Sequence, residues 1–382
     1  MMRRRRGLFA AACAGLCLLL TGCGGGADTE ADWTEMQPTD SMELTYADQF
    51  QVDYYEDGLA YITIGETGEY LLVPEGKTAP DGLDEDIVVL QQPIDRVYLA
   101  ASSAMDLFRG LDALEAVRLT STTQADWSIP EVQDALETGE MLYAGKYSTP
   151  DYELVLNEGC EIAIESTMIT HSPETKEQLE TLGIPVLVEY SSYESHPLGR
   201  LEWIKLYGLL LGRTDAAEDY FNQKVAQLDD IATGDSTGKT VAFFSISTNG
   251  YATVHKPGDY ISKMIEMAGG EYIFRAEDLN VEENALSTMN VQMEAFYATA
   301  KDADYLIYNS TIDGELETID QLLSKSELLA DFRAVKNHNV WCTGKNMFQQ
   351  TTGAADMIAD LHAVVTGAAD GETQLTFLHR LT

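Results

Sequence analysis

The chain has 382 residues, 45% of them hydrophobic, enough for two domains with substantial cores. Asp and Glu number 63 against 24 Lys and Arg, a formal charge of -39. Nucleic acid would be repelled, and an anionic lipid surface would not hold the chain by charge. The balance fits an extracytoplasmic protein, or one that docks on a basic surface.

The N-terminus reads as an address. Arg3, Arg4, Arg5 and Arg6 are followed by an apolar run over 7–20, shorter than the roughly 20 residues of a spanning helix. Leu20-Thr21-Gly22-Cys23 then matches a bacterial lipobox. Residues 1–22 read as a lipoprotein signal peptide, and Cys23 as the lipidated new terminus. Acyl chains there would anchor the protein on the extracytoplasmic face of the cell membrane. Residues 23–43 are rich in Gly, Asp, Glu and Thr and read as a flexible tether. Cys160 and Cys342 remain in the mature chain. They show no CxxC and no His–Cys spacing, so they read as buried free thiols.

Residues 44–213 read as an N-terminal lobe with a leading β meander. Short β-type runs punctuated by Asp57-Gly58 and Glu75-Gly76 fill its first part. After Pro93, strand-like runs alternate with helical stretches, including a helix over 173–182. Alternation of this kind predicts a parallel sheet covered on both faces. Ala217, Phe221, Val225, Leu228 and Ala232 keep helical spacing, which predicts one long helix over 214–233. The alternation restarts in 234–382, the C-terminal lobe, with strands near 241–246, 305–308 and 340–342 and a last helix over 354–365. The predicted fold class is therefore α/β: two Rossmann-like lobes with parallel sheets joined by one long helix, plus an N-terminal antiparallel β meander.

Catalytic motifs are missing: there is no Gly-x-Ser-x-Gly elbow and no His-Glu-x-x-His. Gly234-Asp235-Ser236-Thr237-Gly238-Lys239-Thr240 imitates a phosphate loop. It is one residue short and precedes a strand, whereas a phosphate loop follows a strand and opens a helix. It reads as a turn.

Several segments in order resemble class III substrate-binding proteins of ABC importers. They are Pro93-Ile94-Asp95-Arg96-Val97, Pro150-Asp151-Tyr152-Glu153-Leu154-Val155, Cys160-Glu161-Ile162-Ala163-Ile164, Leu182-Gly183-Ile184-Pro185-Val186, Leu209-Leu210-Leu211-Gly212-Arg213 and Ala303-Asp304-Tyr305-Leu306-Ile307. The resemblance covers nearly all of the mature chain. It implies a lipoprotein that captures a metal chelate, such as a ferric siderophore, heme or a corrinoid, for an ABC permease. It implies no catalysis and no resident cofactor. It also implies that Glu153 in the first lobe and Glu294 in the second seat on arginines of the permease.

In a doubly wound sheet, ligands bind beyond the carboxyl ends of the strands. Those ends carry Trp127, Tyr147, Met168, Tyr193, Tyr251 and Met347 as apolar or aromatic candidates, with Lys146, Arg200 and Lys345 as cations for ligand carboxylates. His171 and His196 are candidates for axial contact or hydrogen bonding. His196 or Ser195 also suits a helix cap before Pro197, and Arg200 and Glu202 suit a structural ion pair. With 6 His in the chain and no His-rich loop, a directly ligated metal is not expected. The rival readings are a secreted hydrolase using strand-end Ser or His residues, and a non-transport sensor lipoprotein of the same fold.

Overall fold

The computed structural model describes residues 32–66, 68–232, 236–311, 313–370 and 374–382. The signal-peptide reading and Cys23 lie outside these residues, as do Gly234 and Asp235 of the phosphate-loop imitation.

The leading sheet consists of β1 (Asp40–Ser41), β2 (Phe50–Tyr54), β3 (Ala60–Ile64), β4 (Gly68–Val73) and β5 (Val88–Gln91), in that spatial order. The first four strands pair antiparallel, as a meander should. β5 departs from it: the loop over 74–87 carries the chain back, so β5 lies parallel to β4. Alternation divides the side chains. Phe50, Val52, Ile62, Ile64 and Tyr70 join the main core, while Leu59, Leu71, Val73 and Ile87 form a second cluster against Trp33 and Tyr61.

The tether reading holds for none of the described residues 32–43. Asp32 bridges to Asp81, Trp33 packs 4.7 Å from Tyr55 between ring centroids, and β1 pairs with β2. Polar composition suggested a free segment. The hydrogen-bond partners that fix it come from residues 52–81 and from Lys205, which composition cannot reveal.

The first lobe runs through β6 (Val97–Leu99), α1 (Met105–Gly110), β7 (Val117–Thr120), α2 (Pro130–Thr138), β8 (Leu142–Tyr143), the short pair β9 (Gly145–Lys146) and β10 (Thr149–Pro150), α3 (Tyr152–Asn157), β11 (Ile162–Ser166), α4 (Pro173–Thr181) and β12 (Val186–Glu189). Its five-stranded sheet has the order β12-β11-β6-β7-β8, parallel throughout. Both faces are apolar, as a covered parallel sheet requires. Val97, Leu99, Ile162 and Ile164 point to one core, and Tyr98, Ala163 and Val186 to the other.

Three helices connect the lobes: α5 (Pro197–Leu210), α6 (Thr214–Ala226) and α7 (Asp229–Ala232). The single helix predicted over 214–233 is thus interrupted at Gln227 and Leu228, where a turn tucks Leu228 into the core. The bridging role belongs to α5, which is apolar nearly all round and buries most of its length. Trp203 meets Phe50 of the leading sheet at 4.9 Å, Tyr207 meets Phe108 of the first lobe at 5.2 Å, and the Arg200 guanidinium lies 4.1 Å over Tyr260 of the second.

The second lobe contains β13 (Lys239–Ile246), β14 (Ala252–His255), α8 (Tyr260–Met267), β15 (Gly270–Tyr272), α9 (Ala276–Leu279), β16 (Thr288–Val291), α10 (Met293–Ala300), β17 (Tyr305–Tyr308), α11 (Ile319–Lys325), α12 (Arg333–Lys336), β18 (Val340–Thr343), α13 (Ala354–Thr366) and β19 (Leu378–Arg380). The sheet order is β16-β14-β13-β17-β18-β19, with β15 also on β13. β13, β15, β17 and β18 are parallel, but β14, β16 and β19 pair antiparallel. A tight turn explains the first departure: Ser247 N–H donates to the Tyr251 carbonyl at 2.9 Å, which turns β13 directly back into β14. Among the described residues no helix is long and apolar enough to cross a membrane.

A strap from the leading sheet closes over α5. Glu202 accepts the backbone N–H groups of Thr45 (3.0 Å), Tyr46 (2.7 Å) and Ala47 (2.9 Å), and pairs with Lys205 at 3.1 Å. Glu194 accepts those of Asp48 (3.0 Å) and Gln49 (3.1 Å) and the Trp203 indole N–H (2.8 Å).

Candidate ligand-binding cavity

The start of α5 sets the geometry of the site. Pro197 occupies the first turn, where its missing N–H costs nothing, and His196 Nδ1 accepts the Leu198 N–H at 3.2 Å as the cap. One turn on, Arg200 projects toward the second lobe. There Tyr260 and Met264 of α8 face Met347, Phe348 and Thr351 of the loop after β18 and Met357 of α13, around a small cavity of about 30 Å³.

The loop between β18 and α13 reaches across to the first lobe. Gln349 Oε1 accepts from the Ser128 N–H at 2.6 Å and from its hydroxyl at 2.5 Å, and Gln349 Nε2 donates to the Asp126 carbonyl at 2.8 Å. The Thr352 N–H and hydroxyl donate to buried Asp106 at 2.8 and 2.5 Å. The Thr351 hydroxyl donates to the Ser103 carbonyl at 2.8 Å. These bonds join strand-end loops of one lobe to the cavity wall of the other.

Electrostatically the cavity is an apolar, sulfur-rich space with one cation. The Nε of Arg200 is buried and has no hydrogen-bond partner among the described residues. Burial pushes the Tyr260 phenol up, against the opposing effect of the Arg200 charge. Glu189 at the end of β12 is also pushed up by burial, opposed by its bonds to Ser191 and by the charge of Arg200. Arg200 as a whole is half-buried and its side chain bonds Tyr260, so a single buried donor, Nε, is left for an anionic or strongly hydrogen-bonding group.

Behind Tyr260 lies a pair that sequence reasoning missed. His255 Nδ1 is 2.7 Å from Asp259 Oδ1, both groups are buried, and His255 Nε2 has no partner among the described residues. The signal was present as His-x-x-x-Asp at a strand-to-helix junction, with Asp259 also capping α8 through the Ile261 N–H. Among the described residues no serine, threonine or cysteine bonds to that nitrogen as a nucleophile would.

Of the residues singled out in sequence, the structure brings Arg200 and Met347 together in this cavity. Trp127 is buried in the main core and 2% exposed, so it offers no open ring face; the bonds of its neighbours to Gln349 seal it in. His196 is committed to capping α5 and stacks on Tyr46 at 4.6 Å, which leaves it outside the lining. Tyr147 packs on the outer core of the first lobe, and Tyr251 closes the β13–β14 turn. Met168, His171 and Tyr193 are exposed after β11 and β12, Tyr193 beside Tyr190 at 5.5 Å. Lys146 and Lys345 are exposed, and the Lys345 backbone N–H donates to Glu315. Glu153 and Glu294 are exposed in the first turns of α3 and α10, one in each lobe. Burial pushes the Cys160 thiol up to about 12 and the Cys342 thiol to about 11, so neither is a reactive thiolate.

A family model described as periplasmic binding protein matches residues 98–347. An uncharacterized lipoprotein of Methanocaldococcus jannaschii is 25% identical over 321 residues, covering 81% of this chain and 78% of its own. A second lipoprotein of that organism is 23% identical, covering 87% of each chain. Among solved structures, a periplasmic heme binding protein from Pseudomonas aeruginosa superposes with a TM-score of 0.58 at 18% identity, over 75% of this chain and 98% of that one. An ABC-type Fe3+-hydroxamate transport protein from Saccharomonospora viridis gives 0.55 at 17% identity, over 71% of this chain and 93% of that one. The chain belongs to the periplasmic binding protein family.

Proposed function

We propose that this periplasmic binding protein is an extracytoplasmic solute receptor, lipid-anchored through Cys23, that captures a metal chelate between its lobes and delivers it to an ABC permease. The observation that carries the reading is Arg200: a half-buried cation whose buried Nε has no partner among the described residues, set among Met264, Met347, Met357 and Phe348 where the two lobes meet. Thioethers and rings supply apolar and polarizable contact, and the guanidinium supplies a fork for a carboxylate. A siderophore, heme or corrinoid carries both kinds of surface. The relatives named for heme and Fe3+-hydroxamate point to the same class of cargo.

The cavity of about 30 Å³ has room for little more than a single water, far below the roughly 300 to 1,000 Å³ typical of ligand sites. A large chelate therefore enters with the lobes further apart, the exposed Met168 and Tyr193 forming part of the mouth. Breaking the Gln349–Ser128 and Thr352–Asp106 bonds would allow this, with α5 as the stiff element between lobes. In this reading Glu153 and Glu294 face the permease. The chain divides into signal peptide 1–22, a tether from 23, an N-terminal lobe to 213, connecting helices and a C-terminal lobe from 234.

The test is a thermal-shift titration with ferric siderophores, heme and corrinoids. A ligand at a hundred times its dissociation constant adds about 2.7 kcal/mol, roughly 5 to 10 °C here. Arg200→Ala should weaken the stabilising ligand at least tenfold while leaving the fold intact. Absence of any shift across the panel would overturn the chelate reading. Loss of uptake on deletion of the gene would separate transport from sensing.

A further inference from the structure

The C-terminal strand carries a group of side chains that the cavity does not use. The chain over 315–317 is extended and runs beside β19: the Thr382 N–H donates to the Glu317 carbonyl at 3.1 Å, and the Ile319 N–H to the Thr382 carbonyl at 3.0 Å. Leu316 turns inward and is buried, so Glu315 and Glu317 turn outward on the same side. His379 reaches them from β19. One potential ligand atom from each of the three lies within 4.8 Å of the others.

The ligand groups are already oriented. His379 Nε2 is 2.8 Å from the Leu316 carbonyl, so that nitrogen donates, and in the neutral ring Nδ1 is the nitrogen with a lone pair to offer. A backbone carbonyl on the second ring nitrogen is the usual support of a metal-bound imidazole. Glu315 Oε1 accepts the Lys345 backbone N–H at 2.7 Å, which fixes that carboxylate and leaves its other oxygen free. Among the described residues the Glu317 carboxylate has no partner and neither glutamate is in an ion pair. Two carboxylates this close repel each other unless a cation lies between them.

We propose that Glu315, Glu317 and His379 form a zinc site on the second lobe, separate from the ligand cavity. One imidazole nitrogen and two carboxylate oxygens suit a borderline divalent transition ion. The set has too few oxygens for calcium and carries a nitrogen that magnesium does not need. Both glutamates are exposed, so the remaining coordination position is open to water. Cys342 is excluded as a ligand: its sulfur is buried, accepts the Leu316 N–H at 3.4 Å and holds its proton. Zinc here would tie the loop before α11 to the C-terminal edge strand, stabilising the edge of the second sheet by linkage.

The test is calorimetric titration of the chelator-stripped protein with zinc chloride, with magnesium chloride as control. One equivalent of zinc should bind at least tenfold more tightly than magnesium. Glu317→Gln, an exposed change that removes no existing bond, should weaken zinc at least tenfold, as should His379→Gln. Glu315→Gln should do the same with circular dichroism unchanged. Absence of a stoichiometric site, or zinc affinity unchanged in all three variants, would overturn the proposal.

Discussion

Two of the places where the molecule buries carboxylates solve the problem in opposite ways. Under the strap, Glu202 and Glu194 receive five consecutive backbone N–H groups from residues 45–49, with the Lys205 ammonium and the Trp203 indole N–H besides. In the outer layer of the first lobe, Glu165 is fully buried and neither of its oxygens has a partner among the described residues. Burial pushes Glu165 up to about 8, so at neutral pH it is mostly protonated. Burial also leads at Glu194, but hydrogen bonds oppose it, and its pKa rises only to about 7. Burial raises both carboxylates, and the bonds offered by neighbours hold Glu194 below Glu165.

The comparison sharpens most by cutting the strap. Glu202→Ala leaves Lys205 without its buried partner and three amides unsatisfied, and should destabilise the protein by about 3 to 5 kcal/mol in denaturant unfolding. If the loss were below about 1 kcal/mol, the strap would be a passive covering rather than a clamp on α5.

Glu165 tests the opposite case. Its folded pKa of about 8 lies above the ordinary carboxyl value of 4.5, so the folded protein holds a proton that the unfolded chain has released. Its stabilising contribution is complete below pH 4.5 and is lost as pH rises through 8. Between pH 6 and 8 the loss should amount to roughly 2 to 3 kcal/mol, at about 1.4 kcal/mol per unit. Glu165→Gln should remove this part of the pH dependence. An unchanged profile would mean that Glu165 is bonded in solution.

The lobe contact lies between the two extremes. Asp106 is buried and paired with Arg109 at 2.6 Å, but part of its bonding comes from Thr352 across the interface. Thr352→Val keeps the backbone N–H bond and removes the hydroxyl, and should cost about 1 to 2 kcal/mol. The measurement is the denaturant midpoint, read with and without a stabilising ligand.

Much of the lobe architecture was legible because it is local. Strand runs such as Ile162 to Ile164 carry apolar side chains toward both faces, and Pro197 after His196 marks a helix start. The mixed pairing of the second sheet was not legible, because the β13–β14 turn depends on how Ser247 and Tyr251 meet. The interruption at Gln227 escaped notice because helical spacing continues across it through Val225, Leu228 and Ala232. At the site, Arg200 and Met347 were named from their places after strands, but their meeting joins residues 147 positions apart. Trp127 was misjudged because its burial depends on Gln349, a residue of the other lobe.

By itself the sequence determined the charge, the lipobox, the alternation that makes two α/β lobes and the family resemblance. All of these are patterns read over a few residues or summed over the chain. The tertiary structure decided which helix bridges the lobes, which carboxylates are satisfied and where one buried guanidinium N–H is left without a partner among the described residues. Those outcomes depend on contacts between segments far apart in the chain, and a hydrogen bond or a desolvated charge is defined only once both partners have a place in space.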